Sequence, residues 1–203
     1  ADQTPLTPLI LWTDRRGTTL PEPIRQLAGR PDYVTVTGIG TGTGPNSAFS
    51  KLLWFQAEEP GVWARTDRFL TISDYLAFSL TGTFQGDAGT ASLLGGMDQQ
   101  TLAWWPEALR AVNLDASRLS APRRPGTRLG CVTEAGAARL GLPAGIPVAA
   151  GSLDHHAASL GAGLGDGADV SESTGTVLAC VGLADAYHPR AGICHLPGLR
   201  PGT

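Results

Sequence analysis

Two groups of residues in this chain have the types and spacing to do chemistry. Asp154 follows the apolar run 147–150 and precedes the small-residue stretch 155–163, so it reads as a carboxylate at a strand's end with a helix starting above it. That arrangement presents a single base at the edge of a cleft. A little downstream, Ser173, Thr174, Gly175 and Thr176 form a hydroxyl-rich turn. Such a turn offers hydroxyls and closely spaced N–H groups to a phosphate, with no side chain at the glycine to block its approach. A base beside a phosphate cradle points to phosphoryl transfer onto a hydroxyl. Each feature also has a plain structural reading. Asp154 would serve as N-cap of a helix beginning at His155. A turn joining two strands would need the same glycine at 175.

These residues need elements to hold them, and the chain supplies alternating helical and strand signals. Residues 6–12 read as a buried strand, and residues 21–28 as a helix with Pro21 near its first turn. Residues 35–43 are a Thr/Gly run without periodicity, read as a loop. Residues 47–56 place Phe49, Leu52, Leu53 and Phe55 at helical spacing, with Asn46 or Ser47 available as N-cap. Residues 71–80 form a further helix closed by Gly82. A segment starts at Ala91, a short helix opens at Pro106, and Thr133 caps a helix running to Leu140. The stretch from Gly161 to Asp169 is glycine-punctuated and polar, as a hinge between two domains would be.

The motifs, taken in order, resemble the FGGY family of carbohydrate kinases. Gly151 to His155 are similar to that family's Gly-Gly-x-Asp-Gln/Asn strand end, and Ser173 to Thr176 to its Ser-x-Gly-Thr-Ser turn. Trp12, Asp14 and Arg16 fit its Trp-x-Asp-x-Arg segment. Lys51, Leu52 and Trp54 fit Lys-Leu-x-Trp. Asp74, Tyr75 and Leu76 with Leu80, Thr81 and Gly82 fit Asp-Tyr-Leu…Leu-Thr-Gly, and Asp87, Ala91 and Ser92 fit Asp-x-x-x-Ala-Ser. Each motif alone is weak, and their shared order makes the signal strong.

The resemblance implies an α/β chain with the ribonuclease-H-like, actin-like ATPase fold. Residues 1–163 would be most of a sugar-binding lobe and 164–203 the start of a nucleotide-binding lobe. It implies transfer of the ATP γ-phosphate to a hydroxyl of a ketose or polyol, pentulose-like in preference. Asp154 would be the base, and Ser173, Thr174, Gly175 and Thr176 would touch phosphate. Trp12 would stack on the sugar's carbon skeleton, although a core tryptophan at a strand end reads equally well. Asn46 falls where glycerol-type members carry an aromatic substrate contact, and its short amide leaves room for a longer, hydroxyl-rich ligand. His155 stands where the family has an amide and would bond a sugar hydroxyl. His156 reads as a partly buried residue with a satisfied ring nitrogen, and Asp14 with Arg16 as a structural ion pair. Mg²⁺ would arrive with ATP and be held by phosphates and waters.

The family's Asp-x-Gly-Thr hairpin does not occur upstream of Trp12, and the second lobe would end just after its first turn. The chain is therefore expected to be an internal fragment, inactive alone. The alternative is a non-catalytic, kinase-derived module that binds a sugar or a partner protein.

Composition narrows the classes further. The chain has 203 residues, 42% hydrophobic and 16% charged, enough for a core. A net charge of −3 without a basic run argues against nucleic acid. No apolar run reaches the roughly 18 residues of a membrane span, and no signal peptide opens the chain. Three cysteines at scattered spacings fit a reduced, cytoplasmic setting better than a disulfide framework. The glycine run at 38–44 does not fit a dinucleotide loop, no phosphate-binding Gly-Lys loop is present, and the His and Cys spacings suit no metal site. Expected partners are a small sugar or polyol and ATP, and a homodimer is compatible with the sequence. Lys51, the chain's single lysine, reads as a consequence of base composition.

Overall fold

The computed structural model describes residues 4–16, 19–44, 47–175 and 177–200. Short helices alternate with short strands. In chain order they are α1 (Glu22–Ala28), α2 (Tyr33–Thr37), α3 (Ala48–Glu58), α4 (Pro60–Arg65), α5 (Ile72–Thr81), β1 (Gln85–Asp87), α6 (Ala88–Ser92), β2 (Met97–Asp98) and β3 (Ala103–Trp104). There follow α7 (Pro106–Ala111), a 3₁₀ turn (Ala116–Arg118), β4 (Ala121–Arg123), β5 (Arg128–Cys131), α8 (Glu134–Leu140), β6 (Pro147–Ala149), α9 (Asp154–Gly161), β7 (Val170–Thr174) and β8 (Leu178–Gly182). The strands pair two by two. β1 runs parallel to β4, and β2–β3, β5–β6 and β7–β8 are antiparallel.

Local chemistry sets most of the helix ends. Thr71 and Asp74 form a reciprocal capping box at the start of α5, and Gly82, at φ 71°, closes that helix in the left-handed region. The Thr133 hydroxyl accepts from the N–H of Gly136 to open α8. α1 begins one residue after Pro21, whose fixed φ suits a helix entry.

The main core gathers apolar faces from the first half of the chain. Ile24 and Leu27 of α1, Tyr33 of α2, Phe49 of α3, and Trp105, Ala108 and Val112 around α7 pack together. Phe49 is 2% exposed. Gly96 lies so close to it that a Cβ there would overlap the Phe49 ring.

Several expectations need correction. Residues 6–12 are not a strand in this structure: no described neighbour pairs with them, and without a partner an apolar run has no ladder to join. The Thr/Gly run is only partly loop, because α2 takes residues 33–37 before Gly38 ends it. α4, opened by Pro60, went unforeseen. The segment expected to start at Ala91 is α6, which begins at Ala88.

Two glycines of the 38–44 run, Gly38 and Gly40, lie against a distant segment. Gly40 donates to the Ile193 carbonyl at 2.8 Å, Gly192 to Gly40 at 2.7 Å, and His195 to Gly38 at 2.8 Å. A Cβ at Gly40 would overlap the carbonyls of Arg190 and Ile193, and one at Gly38 the carbonyl of His195. At these two positions glycine permits the close backbone approach.

Candidate active site

β6 ends at Ala149, and the chain then makes two anchoring bonds before it reaches Asp154. Ala150 donates to the Thr127 carbonyl at 2.8 Å, and its own carbonyl accepts from Gly126 at 2.9 Å. α9 begins at Asp154 itself, with Leu153 in the capping position and no side-chain cap. The expected helix start at His155 and the capping role of Asp154 are thus both displaced by one residue. The Asp154 carboxylate does not cap the helix. Its Oδ1 instead accepts from the adjacent N–H of His155 at 2.8 Å. The side chain stays exposed at the positive end of the helix.

The strand-end carboxylate pattern anticipated for Asp154 occurs more literally at Asp87. Asp87 closes β1, a strand in a parallel pair, and α6 starts on the next residue. Its carboxylate is 4% exposed and committed, accepting from the Thr90 N–H at 2.7 Å and from the Ser73 hydroxyl at 3.1 Å. Nearby Asp74 is buried as well, and desolvation pushes its carboxyl above the ordinary value. Gly86 leaves room for it, since a Cβ there would overlap the Asp74 carboxylate. Asp87 was singled out in the sequence without a role. Its Asp-x-x-Thr spacing was the signal for a cap.

α6 also forms the shoulder against which the start of α9 rests. A Cβ at Gly89 would lie 3.1 Å from the Leu153 nitrogen and 3.3 Å from both the Asp87 carboxylate and the Ser152 hydroxyl. So Asp87 fixes α6, and α6 abuts the two residues that lead into Asp154.

Trp12 is 61% exposed, which removes its reading as a core residue. It occupies the tip of a turn closed by a 3.0 Å bond from the Asp14 N–H to the Leu11 carbonyl. Asp14 accepts from the Arg16 N–H and pairs with its guanidinium at 3.2 Å, the structural ion pair expected. Arg16 lies over the rings of Trp54 and Phe55. Trp105 is a core residue, with Trp63 and Trp104 packed against that core.

The hydroxyl-rich turn tips a hairpin. β7 and β8 pair from Val170↔Gly182 to Thr174↔Leu178, so the loop begins at Gly175. The space above Gly175 is open, and Thr174 is exposed. α9 packs against both strands of this hairpin. Asn46 and Thr176 lie outside the described residues. Among those described, no hydrogen bond or ion pair links Trp12, Asp154 and the turn. They stand on three separate elements.

His155 is half-buried, and its carbonyl accepts from the Ser159 hydroxyl. Burial pulls the His156 ring below histidine's ordinary value, and the nearby Pro197 carbonyl partly offsets that shift. Cys131, Cys180 and Cys194 are free thiols, and among the described residues no three His, Cys, Asp or Glu side chains gather as a metal site. No described helix is long and apolar enough to cross a membrane. One surface cavity of about 340 Å³ lies between Gln99, Arg124, Tyr187, His195 and Pro197, and another of about 210 Å³ beside Tyr33, Thr41 and Cys194. Neither is lined by Trp12 or Asp154.

This architecture is part of the ribonuclease-H-like fold of the actin-like ATPases. Over 88% of its length the chain superposes on 36% of the xylulose kinase of Rhodospirillum rubrum, with a TM-score of 0.79 and 25% identity. A likeness of fold alone extends to Plasmodium falciparum glycerol kinase with ADP, where the TM-score is 0.62 at 23% identity over 79% of this chain and 32% of that one. Residues 1–161 match the FGGY family of carbohydrate kinases, N-terminal domain, and the chain belongs to that family. It is 37% identical to an autoinducer-2 kinase of Klebsiella pneumoniae over 118 residues, 58% of this chain and 22% of that protein. Against the xylulose kinase of Lactococcus lactis it is 29% identical over 187 residues, 92% of this chain and 36% of that protein. The chain therefore spans between about a fifth and somewhat over a third of the curated relatives it matches.

Proposed function

We propose that this chain supplies the acceptor side of an ATP-dependent carbohydrate kinase whose substrate is a ketose or polyol of pentulose type. Residues 1–163 form the sugar-binding lobe, a division supported by the match to the family's N-terminal domain ending at residue 161. Residues 164–203 open the nucleotide-binding lobe. The observation that carries the reading is the contrast between two carboxylates. Asp87 is buried and spends both oxygens on protein donors, whereas Asp154 stands exposed at a helix start with one weakly committed oxygen.

In this reading Asp154 orients the acceptor hydroxyl and takes its proton as that oxygen bonds the γ-phosphorus and the bond to ADP breaks. Trp12 packs its indole against the sugar's C–H face. His155, and Asn46 by its place in the sequence, bond hydroxyls. Ser173, Thr174, Gly175 and Thr176 receive the phosphates, a role supported by the open approach over Gly175. When bound with the nucleotide, Mg²⁺ would supply charge neutralisation at the phosphates and would be held by phosphates and waters, so this chain need not provide a cage for it.

The test is a coupled ADP-release assay on an enzyme carrying this segment together with both phosphate-binding halves, run across ketoses and polyols. Sugar-dependent ADP release, strongest with a pentulose, is the expected result. ADP release that no sugar or polyol stimulates would remove the kinase reading.

A further inference from the structure

We propose that Lys51 positions Trp12 for the sugar by clamping the backbone on both sides of the indole's Cα, an inference that rests on the reading of Trp12 as the sugar platform. Lys51 lies on α3 between the core residues Phe49 and Phe55 and is only 7% exposed. A buried ammonium is costly unless its protons find acceptors. Here the acceptors are two successive main-chain carbonyls, those of Leu11 at 2.9 Å and Trp12 at 3.2 Å.

The pairing has a geometric consequence. Each peptide unit is planar, so the Leu11 carbonyl reports the plane entering Trp12 and the Trp12 carbonyl the plane leaving it. Only the φ and ψ of Trp12 lie between those planes. One ammonium holding both oxygens therefore restrains φ and ψ together, and with them the direction of the Cα–Cβ bond from which the indole projects. The far side of the same turn is fastened to α3 again, because Arg16 pairs with Asp14 and lies over Trp54 and Phe55. Burial pulls the Lys51 ammonium below its ordinary value, with the Asp14 carboxylate offsetting and the Arg16 guanidinium adding to that effect.

The result is a large aromatic ring left 61% exposed on a backbone anchored at two points. The exposed indole contributes little to the core, and its anchored backbone leaves the ring available to a ligand. A pre-oriented ring loses less entropy when a ligand stacks on it.

A double-mutant cycle tests this in the enzyme carrying this segment, with D-xylulose as probe, measuring Kd by calorimetry and KM and kcat by ADP release. Trp12→Ala should weaken binding roughly tenfold or more through the lost stacking face. Lys51→Met should raise Kd and KM roughly 5- to 30-fold while kcat changes by less than about threefold, since the clamp acts on binding and not on proton transfer. The double variant should bind no more weakly than Trp12→Ala alone, because the clamp acts only through that ring. If Lys51→Met does not fold, Lys51→Leu, which likewise removes the donors, carries the comparison.

Wild-type affinity in the folded Lys51 variants, with Trp12→Ala impaired, would overturn the clamp and leave the platform standing. Fully additive losses would make Lys51 a general structural residue and overturn the clamp too. Wild-type affinity in Trp12→Ala would overturn both.

Discussion

Replacing Asp154 with Asn in an enzyme that carries this segment should lower turnover roughly 10²- to 10⁴-fold while sugar affinity stays within a few-fold, the usual signature of a removed general base. The substitution keeps size and hydrogen-bonding capacity. The amide oxygen can still accept from the His155 N–H that the carboxylate holds at 2.8 Å. Only the proton-accepting charge is lost. Steady-state ADP release and calorimetric sugar binding, measured on the same preparation, separate the two quantities. Turnover within a few-fold of wild type would reduce Asp154 to a helix-terminus residue. The corresponding change at Asp87 should behave differently. Its carboxylate is buried between Ser73 and Thr90, so losing it should cost stability before it touches chemistry.

Phe49→Ala should destabilise the chain by about 3–5 kcal/mol, the range for truncating a buried phenylalanine. Phe49 is 2% exposed at the centre of the main core and fills the space that Gly96 leaves for it. A domain's total stability is about 5–15 kcal/mol, so the loss would remove a large part of it. The effect reaches the site because α3 carries Phe49 on its core face and Lys51 beside it, and Lys51 holds the Trp12 turn. Urea denaturation followed by circular dichroism measures the change. A loss below about 1 kcal/mol would mean that the core does not depend on this ring as described.

The parts of this fold that were legible in the sequence are those whose causes are local. Thr71 with Asp74, Gly82, Thr133 and Pro106 mark helix ends because capping chemistry acts within a few residues. Features that failed to show have distant causes. Residues 6–12 carry a strand's composition, yet a strand needs a partner that composition cannot name. Gly38 and Gly40 looked like a purposeless run because their reason lies in the carbonyls of Arg190, Ile193 and His195. Lys51 looked like an accident of composition because its partners, Leu11 and Trp12, sit on another segment. The strand-then-helix setting read for Asp154 is present, with four residues between β6 and the helix start, and it recurs in tighter form at Asp87. What separates the two aspartates is burial and donor count, which no spacing reveals. The family, by contrast, was legible from motif order alone, and the match over residues 1–161 agrees with it.

In the proposed site Trp12, Asp154 and His155 face one sugar-type ligand, although among the described residues no hydrogen bond or ion pair links Trp12 to the other two. Titrating the ¹⁵N-labelled chain with D-xylulose and following ¹H–¹⁵N correlation spectra tests it most directly. Saturable shifts are expected at the Trp12 indole N–H and at the amides of residues 153–156, with the main-core amides around Phe49 and Val112 unmoved. No saturable shift at either place, or shifts confined to the cavity beside Tyr187 and His195, would contradict it.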